Sequence, residues 1–99
     1  MSTKKAISVK VTHQVCRLAL SGEITIAQSS NLREEALRAL AKGLPIAVDL
    51  SAVTYLDAAC LQVIHSLRNT AGASVSVAGT PAQLLDDARM LGMQEVVTG

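Results

Sequence analysis

The sequence predicts an α/β fold with a mixed sheet of four to five strands and helices packed against it. Three observations carry this. Ile7, Val9 and Val11 alternate with Ser8, Lys10 and Thr12, the period of a strand with one wet face. Three later stretches place apolar residues at helical spacing, and a short apolar run at residues 46–48 and a stretch at 74–78, where Val75 and Val77 alternate with serines, separate them. Strands that alternate with helices require crossover connections and so become parallel neighbours, whereas the first two strands are close enough to form an antiparallel hairpin.

At 99 residues and 10.3 kDa the chain is long enough for one domain with one core and too short for two. Its 49% hydrophobic and 17% charged residues are a globular composition, not a disordered one. There is no Trp or Phe and a single Tyr, so the core must be aliphatic. Nine basic residues against eight acidic ones leave no basic patch, and no aromatic stacking platform accompanies them, which argues against a nucleic-acid partner. No run approaches a membrane span, and the opening M-S-T-K-K has no apolar segment behind it, so a cytoplasmic, unprocessed chain without membrane insertion is expected. Cys16 and Cys60 fall in predicted regular elements without metal-ligand spacing. They read as buried small hydrophobes in a reducing compartment, and neither a metal nor a cofactor is expected.

Along the chain, a two-residue turn at His13 and Gln14 leads into a second strand over residues 15–20, apolar except for Arg17. The first helix has three possible caps, Ser29, Ser30 and Asn31, of which Asn31 has Glu34 three residues on. Leu32, Ala36, Leu37 and Leu40 form its inner stripe, with Arg33, Glu34, Glu35 and Arg38 outside; Gly43 ends it and Pro45 bars continuation. A buried strand at residues 46–48 follows, then a short turn, then a helix beginning at Ala58 with Asp57 as its cap and ending near Ala71 and Gly72. Asp49 interrupts the strand, either at its end or held by a partner. After the strand at 74–78, Thr80-Pro81-Ala82-Gln83 has the order of a capping box with Pro at the first helical position. That helix turns Leu84, Leu85, Ala88 and Leu91 inward and stops at Gly92, and Val96-Val97 adds a short edge contact.

Catalysis finds no support. Cys60 and His65 lie five residues apart on one helix, about 140° around its axis, so they cannot act as nucleophile and base. Asp86 and Asp87 complement a helix dipole, and no Gly-rich phosphate loop is present. The middle helix is more informative. With Leu61, Ile64 and Leu67 inward, Ala58, Gln62, His65, Ser66 and Asn69 fall outward, and none carries a full charge at neutral pH. Solvated helix faces usually carry Lys and Glu, so this face is a candidate for cover by a partner as well as an ordinary polar surface.

Three segments, S-G-E-I-T at residues 21–25, V-D-L-S-A-V-T-Y-L-D-A-A-C-L at 48–61 and T-P-A-Q-L-L-D-D-A-R-M-L-G-M at 80–93, give the chain its resemblance to the STAS family. That domain is shared by sulphate transporters and bacterial anti-sigma factor antagonists, and the resemblance covers almost the whole chain. It implies a single-domain STAS-like fold and a small, non-catalytic module that binds a partner protein. In phosphorylated members an acidic residue follows the G-E-L or G-E-I turn, and a Ser or Thr follows the Asp at the start of the middle helix. Here Thr25 and Ala58 stand at those positions, Cys60 replaces a frequent Gly, and the hydroxyls of Ser51 and Thr54 precede Asp57 and do not match the switch. Alanine has no oxygen to take a phosphoryl group, so the resemblance implies the fold and the docking surface without the phosphorylation. That surface comprises Thr54, Asp57, Ala58, Ala59, Gln62, His65, Ser66 and Asn69. The partners it implies are an anti-sigma-type serine kinase, a chemotaxis signalling component or, as the alternative, the ATPase subunit of a lipid-transport ABC system; a homodimer is a further assembly open to it.

Overall fold

The computed structural model describes residues 6–12, 14–71 and 74–98. In chain order it contains strands β1 (Ile7–Val11) and β2 (Cys16–Ile24), helix α1 (Ile26–Ala41), strand β3 (Ile46–Leu56), helix α2 (Ala58–Ala71), strand β4 (Val75–Ala78), helix α3 (Ala82–Met90) and a closing 3-10 turn, Gln94–Val97. The four strands form one mixed sheet in the order β1-β2-β3-β4, with β1 antiparallel to β2 and the rest parallel. Because β2, β3 and β4 step in one direction across the sheet, two right-handed crossovers put α1 and α2 on the same face. Leu84 and Ala88 of α3, with Val96 and Val97 of the 3-10 turn, join the same core. Among the described residues no helix covers the other face of the sheet, where Arg17, Glu23 and Ser76 are exposed.

The core is aliphatic, as the composition requires. Leu18, Leu20 and Ile24 of β2 and Ile46, Val48 and Leu50 of β3 are fully buried against Leu32 of α1 and Leu61 and Ile64 of α2. Each such side chain contributes about 1.5–3 kcal/mol through burial. Cys16 and Cys60 are free thiols within it, as expected. A Thr12 N–H bond to the Val15 carbonyl at 3.0 Å closes the hairpin turn. His13 of that turn, Gly72 at the expected helix end and the opening M-S-T-K-K lie outside the described residues.

Several boundaries differ from the sequence expectation. Strand β2 runs past residue 20 to Ile24, and β3 runs to Leu56, so the strand itself meets the Asp57 cap and no separate turn intervenes. Between Ala19 and Ser21, β2 takes two steps while β3 takes three, from Asp49 to Ala52. Between Gly22 and Glu23 it takes one while β3 takes two, from Val53 to Tyr55. Strand β3 therefore carries two bulged residues. The result buries Leu50, Val53 and Leu56 at every third position, a spacing that hides a strand from a search for alternation.

Helix α1 begins before all three expected caps, and Ser29, Ser30 and Asn31 lie inside it, the last of them six residues past the true cap. Thr25 is its cap: Thr25 Oγ1 accepts the Ala27 N–H at 3.3 Å, and Gln28 Oε1 accepts the Thr25 N–H at 2.8 Å. Leu32 and Ala36 face inward as expected and Leu40 is partly buried, but Ala39 continues the inward line and Leu37 is 57% exposed. Leu37 lies about 100° from Ala36 around the helix, past the edge of the buried arc. At α3 the expected capping box is absent. The Thr80 hydroxyl donates to the Val97 carbonyl at 2.6 Å, and Pro81 takes the cap position without a side-chain bond, so the helix starts at Ala82. Leu84 and Ala88 are buried and Leu85 is packed beside them, whereas Leu91, one residue past the helix, is 54% exposed. Val96 and Val97 are buried in the 3-10 turn and make no sheet edge. Asp49 lies inside β3 and is partnered: its Oδ1 accepts the Ser51 N–H at 3.0 Å and the Ser51 hydroxyl at 2.7 Å.

Candidate functional site

The parallel pairing of β2 with β3 ends at Ile24 opposite Leu56, and each strand passes directly into a helix cap. Two helix starts therefore stand side by side at the carboxyl edge of the sheet. The Asp57 N–H donates to the Ile24 carbonyl at 2.8 Å, extending the ladder by one bond, and Asp57 Oδ1 accepts the Ala59 N–H at 2.9 Å as the expected cap of α2. The Cys60 thiol donates to the Thr25 carbonyl at 3.3 Å and ties the two starts together. Burial, with the Asp57 charge as a lesser cause, pushes that thiol's pKa above its ordinary value. Such a thiol is a packing group and not a nucleophile.

From this edge the outward side of α2 runs away across the surface. Ala58, Gln62, Ser66 and Asn69 are exposed, and their spacing puts them on one line of the helix. Thr54 is exposed just before that line, on β3 and not on a loop; Asp57 and Ala59 are half-buried beneath it. His65 sits to one side, half-buried, with its Nε2 3.2 Å from Asn69 Nδ2. Thus Ala58, Gln62, Ser66 and Asn69 share one line of α2, Asp57 and Ala59 belong to the cap where it starts, His65 stands at its edge, and Thr54 is exposed on the preceding strand. The line carries no charged side chain of its own. Arg68, the only charged residue of α2, bonds through Nη1 to the Val96 and Thr98 carbonyls, so its charge serves the C-terminal segment.

Two neighbouring features were missed in the sequence. Tyr55, 46% exposed, lies beside Thr54. A groove of about 450 Å³ separates α1 from α2, with Leu37 and Leu40 on one bank, Gln62 and Ser66 on the other, and Arg33 at its rim. The excess of apolar positions on α1, Leu37 in addition to those its core contact needs, was the available signal.

The profile of the family described as "Mlab, STAS domain" matches residues 7–98. The chain is a STAS domain. Its fold is similar to that of the Bacillus cell fate determinant SpoIIAA in phosphorylated form, with 13% identity, 95% of this chain and 89% of that chain covered, and a TM-score of 0.72. The unphosphorylated anti-sigma factor antagonist SpoIIAA is similar too, at 13% identity, 86% and 83% coverage and a TM-score of 0.71. An anti-sigma factor antagonist from Mycobacterium paratuberculosis gives 21% identity, 90% and 79% coverage and a TM-score of 0.71. At these identities the likeness is one of fold. No curated protein matches the sequence significantly. In this STAS domain the four-stranded mixed sheet and three helices take the SpoIIAA-like arrangement, and no helix among the described residues is long and apolar enough to cross a membrane.

Proposed function

We propose that this STAS domain is a non-catalytic, cytoplasmic module of bacterial signalling that binds a partner protein through the outward line of α2 and the adjoining end of β3. The observation that carries the reading is the exposed, uncharged row of Ala58, Gln62, Ser66 and Asn69, which starts at a rigid double helix cap. Rigid positioning lowers the ordering cost of binding, and an uncharged surface is inexpensive to desolvate. The buried, raised Cys60 thiol supports the absence of nucleophilic chemistry. Ala58 occupies the position that a phosphorylated family member would give to Ser or Thr, so partner binding here is governed by abundance or by the state of the partner. The partner class is an anti-sigma-type serine kinase or a chemotaxis signalling component. A second reading, an accessory subunit bound to the ATPase of a lipid-transport ABC system, is favoured by one observation: the matching family description carries the name Mlab.

Affinity co-purification with mass spectrometry tests both. The wild type is expected to retain one partner class that Gln62→Glu and Ser66→Glu lose, with the thermal midpoint nearly unchanged because exposed substitutions shift stability by under about 0.5 kcal/mol. A kinase or chemoreceptor component selects the first reading and a transporter ATPase the second. Retention of the same partner by both variants refutes the α2 surface.

A further inference from the structure

Strand β1 is one edge of the sheet, and the direction of its backbone groups follows from two bonds. The Thr12 N–H donates to the Val15 carbonyl at 3.0 Å and the Ser21 N–H to the Ala6 carbonyl at 2.9 Å, so the even-numbered residues of 6–12 turn their backbone toward β2. Ile7, Val9 and Val11 therefore point theirs away from the sheet. Each carries one N–H and one carbonyl, and no hydrogen bond among the described residues reaches these three pairs of groups. The same three side chains lie on the helix side: Ile7 is buried, Val9 is packed against the core, and Val11 is 47% exposed. Ser8 and Lys10 are exposed on the opposite side.

This edge is complementary to itself in one register. A two-fold axis perpendicular to the sheet beside Val9 runs β1 antiparallel to β1 of a second copy, with Val9 opposite Val9 and Ile7 opposite Val11. Every outward N–H and carbonyl of Ile7, Val9 and Val11 then finds a partner. A slip of two residues sets one of the three beyond the end of the other strand, and a slip of one sets them against residues whose backbone is already bonded to β2. The side chains agree with the paired register. Exposed Val11 gains Ile7 of the copy as its neighbour on the helix side, and Lys10 faces the small, neutral Ser8 of the copy. A strand from another protein would have to repeat this alternation in the same phase, whereas β1 supplies it to itself. At a net charge of +1 two copies repel little.

We propose that the chain forms a two-fold homodimer by antiparallel pairing of β1 with β1 of a second copy, which joins the two four-stranded sheets into one with all helices on the same side. β1 has five residues, a length of roughly 17 Å, so the contact is at the weak end of specific interfaces and the dimer is reversible. The seam lies two strands away from β3, which leads into α2. Both α2 surfaces therefore stay open, and the dimer does not depend on the function proposed for them.

Sedimentation equilibrium of the full chain from micromolar to millimolar concentration tests this. The expected result is a monomer–dimer equilibrium without larger species. Val9→Pro removes an N–H that only the dimer uses, and an edge strand tolerates proline where its N–H faces outward, so the variant should fold and dimerise about tenfold more weakly or worse. Val11→Lys, a substitution at an exposed position, should weaken the dimer to a similar degree by setting a charge against Ile7 of the copy. Thermal melts establish that each variant is folded, and Val11→Lys carries the test alone if Val9→Pro is not. Gln62→Glu on α2 should leave the equilibrium unaltered. A wild type monomeric throughout overturns the proposal, as does a species larger than a dimer, a folded β1 variant that dimerises like the wild type, or a dimer lost in Gln62→Glu.

Discussion

The Cys60 thiol donates to the Thr25 carbonyl oxygen at 3.3 Å, joining residues 35 positions apart at the first turns of two helices. One of these residues caps α1 and the other begins the buried stripe of α2. The carboxyl edge of the sheet thus rests on hydrogen bonds at two adjoining helix starts.

Thr25→Ala removes the hydroxyl side of the α1 capping box. A loss of about 1 kcal/mol is expected, which lowers the melting temperature of a domain this size by about 4–8 °C. Thr25→Ser, which keeps the acceptor oxygen, should lose less than half as much. Calorimetry on the two variants decides it; equal losses would mean that the methyl group and not the hydroxyl matters.

Gly79 and Gly22 both have left-handed backbone angles, φ +75°, but different surroundings. A Cβ on Gly22 meets open space, so Gly22→Ala should cost about 1–2 kcal/mol, the left-handed penalty alone. On Gly79 it would stand 2.8 Å from the Ser51 Cβ and 3.1 Å from Asp49 Oδ1, adding a clash at the bulge of β3. Gly79→Ala is expected to cost at least about 1 kcal/mol more than Gly22→Ala in denaturant unfolding.

Two groups make stability depend on pH in opposite senses. Bonds from the Ser51 N–H and hydroxyl hold the Asp49 carboxyl below its ordinary pKa. Its stabilisation is therefore present above the unfolded value of about 3.9 and lost as pH falls toward the folded one. The Cys60 thiol is raised by burial and then by Asp57, so the fold favours its protonated form. That contribution is complete below about pH 8.5 and is lost as pH climbs through the raised value. Melting temperature against pH should show an acid limb that flattens in Asp49→Asn and an alkaline limb that flattens in Cys60→Ala.

Ala58→Ser supplies an exposed hydroxyl at the first residue of α2, where the helix dipole favours a phosphoryl group. An anti-sigma-type serine kinase with ATP is expected to label this variant and leave the wild type unlabelled over residues 57–61. Phosphate mapped to that segment of the wild type would refute the reading of Ala58.

Much of this protein follows from residue order alone. The alternation of β1, the aliphatic stripe Leu61-Ile64-Leu67, the Asp57 cap and the crossovers implied by alternating elements are local patterns, and local sterics and hydrogen bonding enforce them. The outward residues of α2 were legible for the same reason, since helical spacing assigns them once the inner stripe is known. Tertiary contacts decided the rest. Thr80 left its expected cap because the 3-10 turn brings the Val97 carbonyl within 2.6 Å. The far half of β3 is a strand because β2 pairs with it across two bulges, a partnership that its own spacing conceals. The open sheet face, with Lys10 and Arg17 at one end and Glu23 at the other, exists only once strands distant in sequence lie side by side. Periodicity reports which face of an element is apolar; only the assembled chain determines what that face, or its opposite, is left to meet.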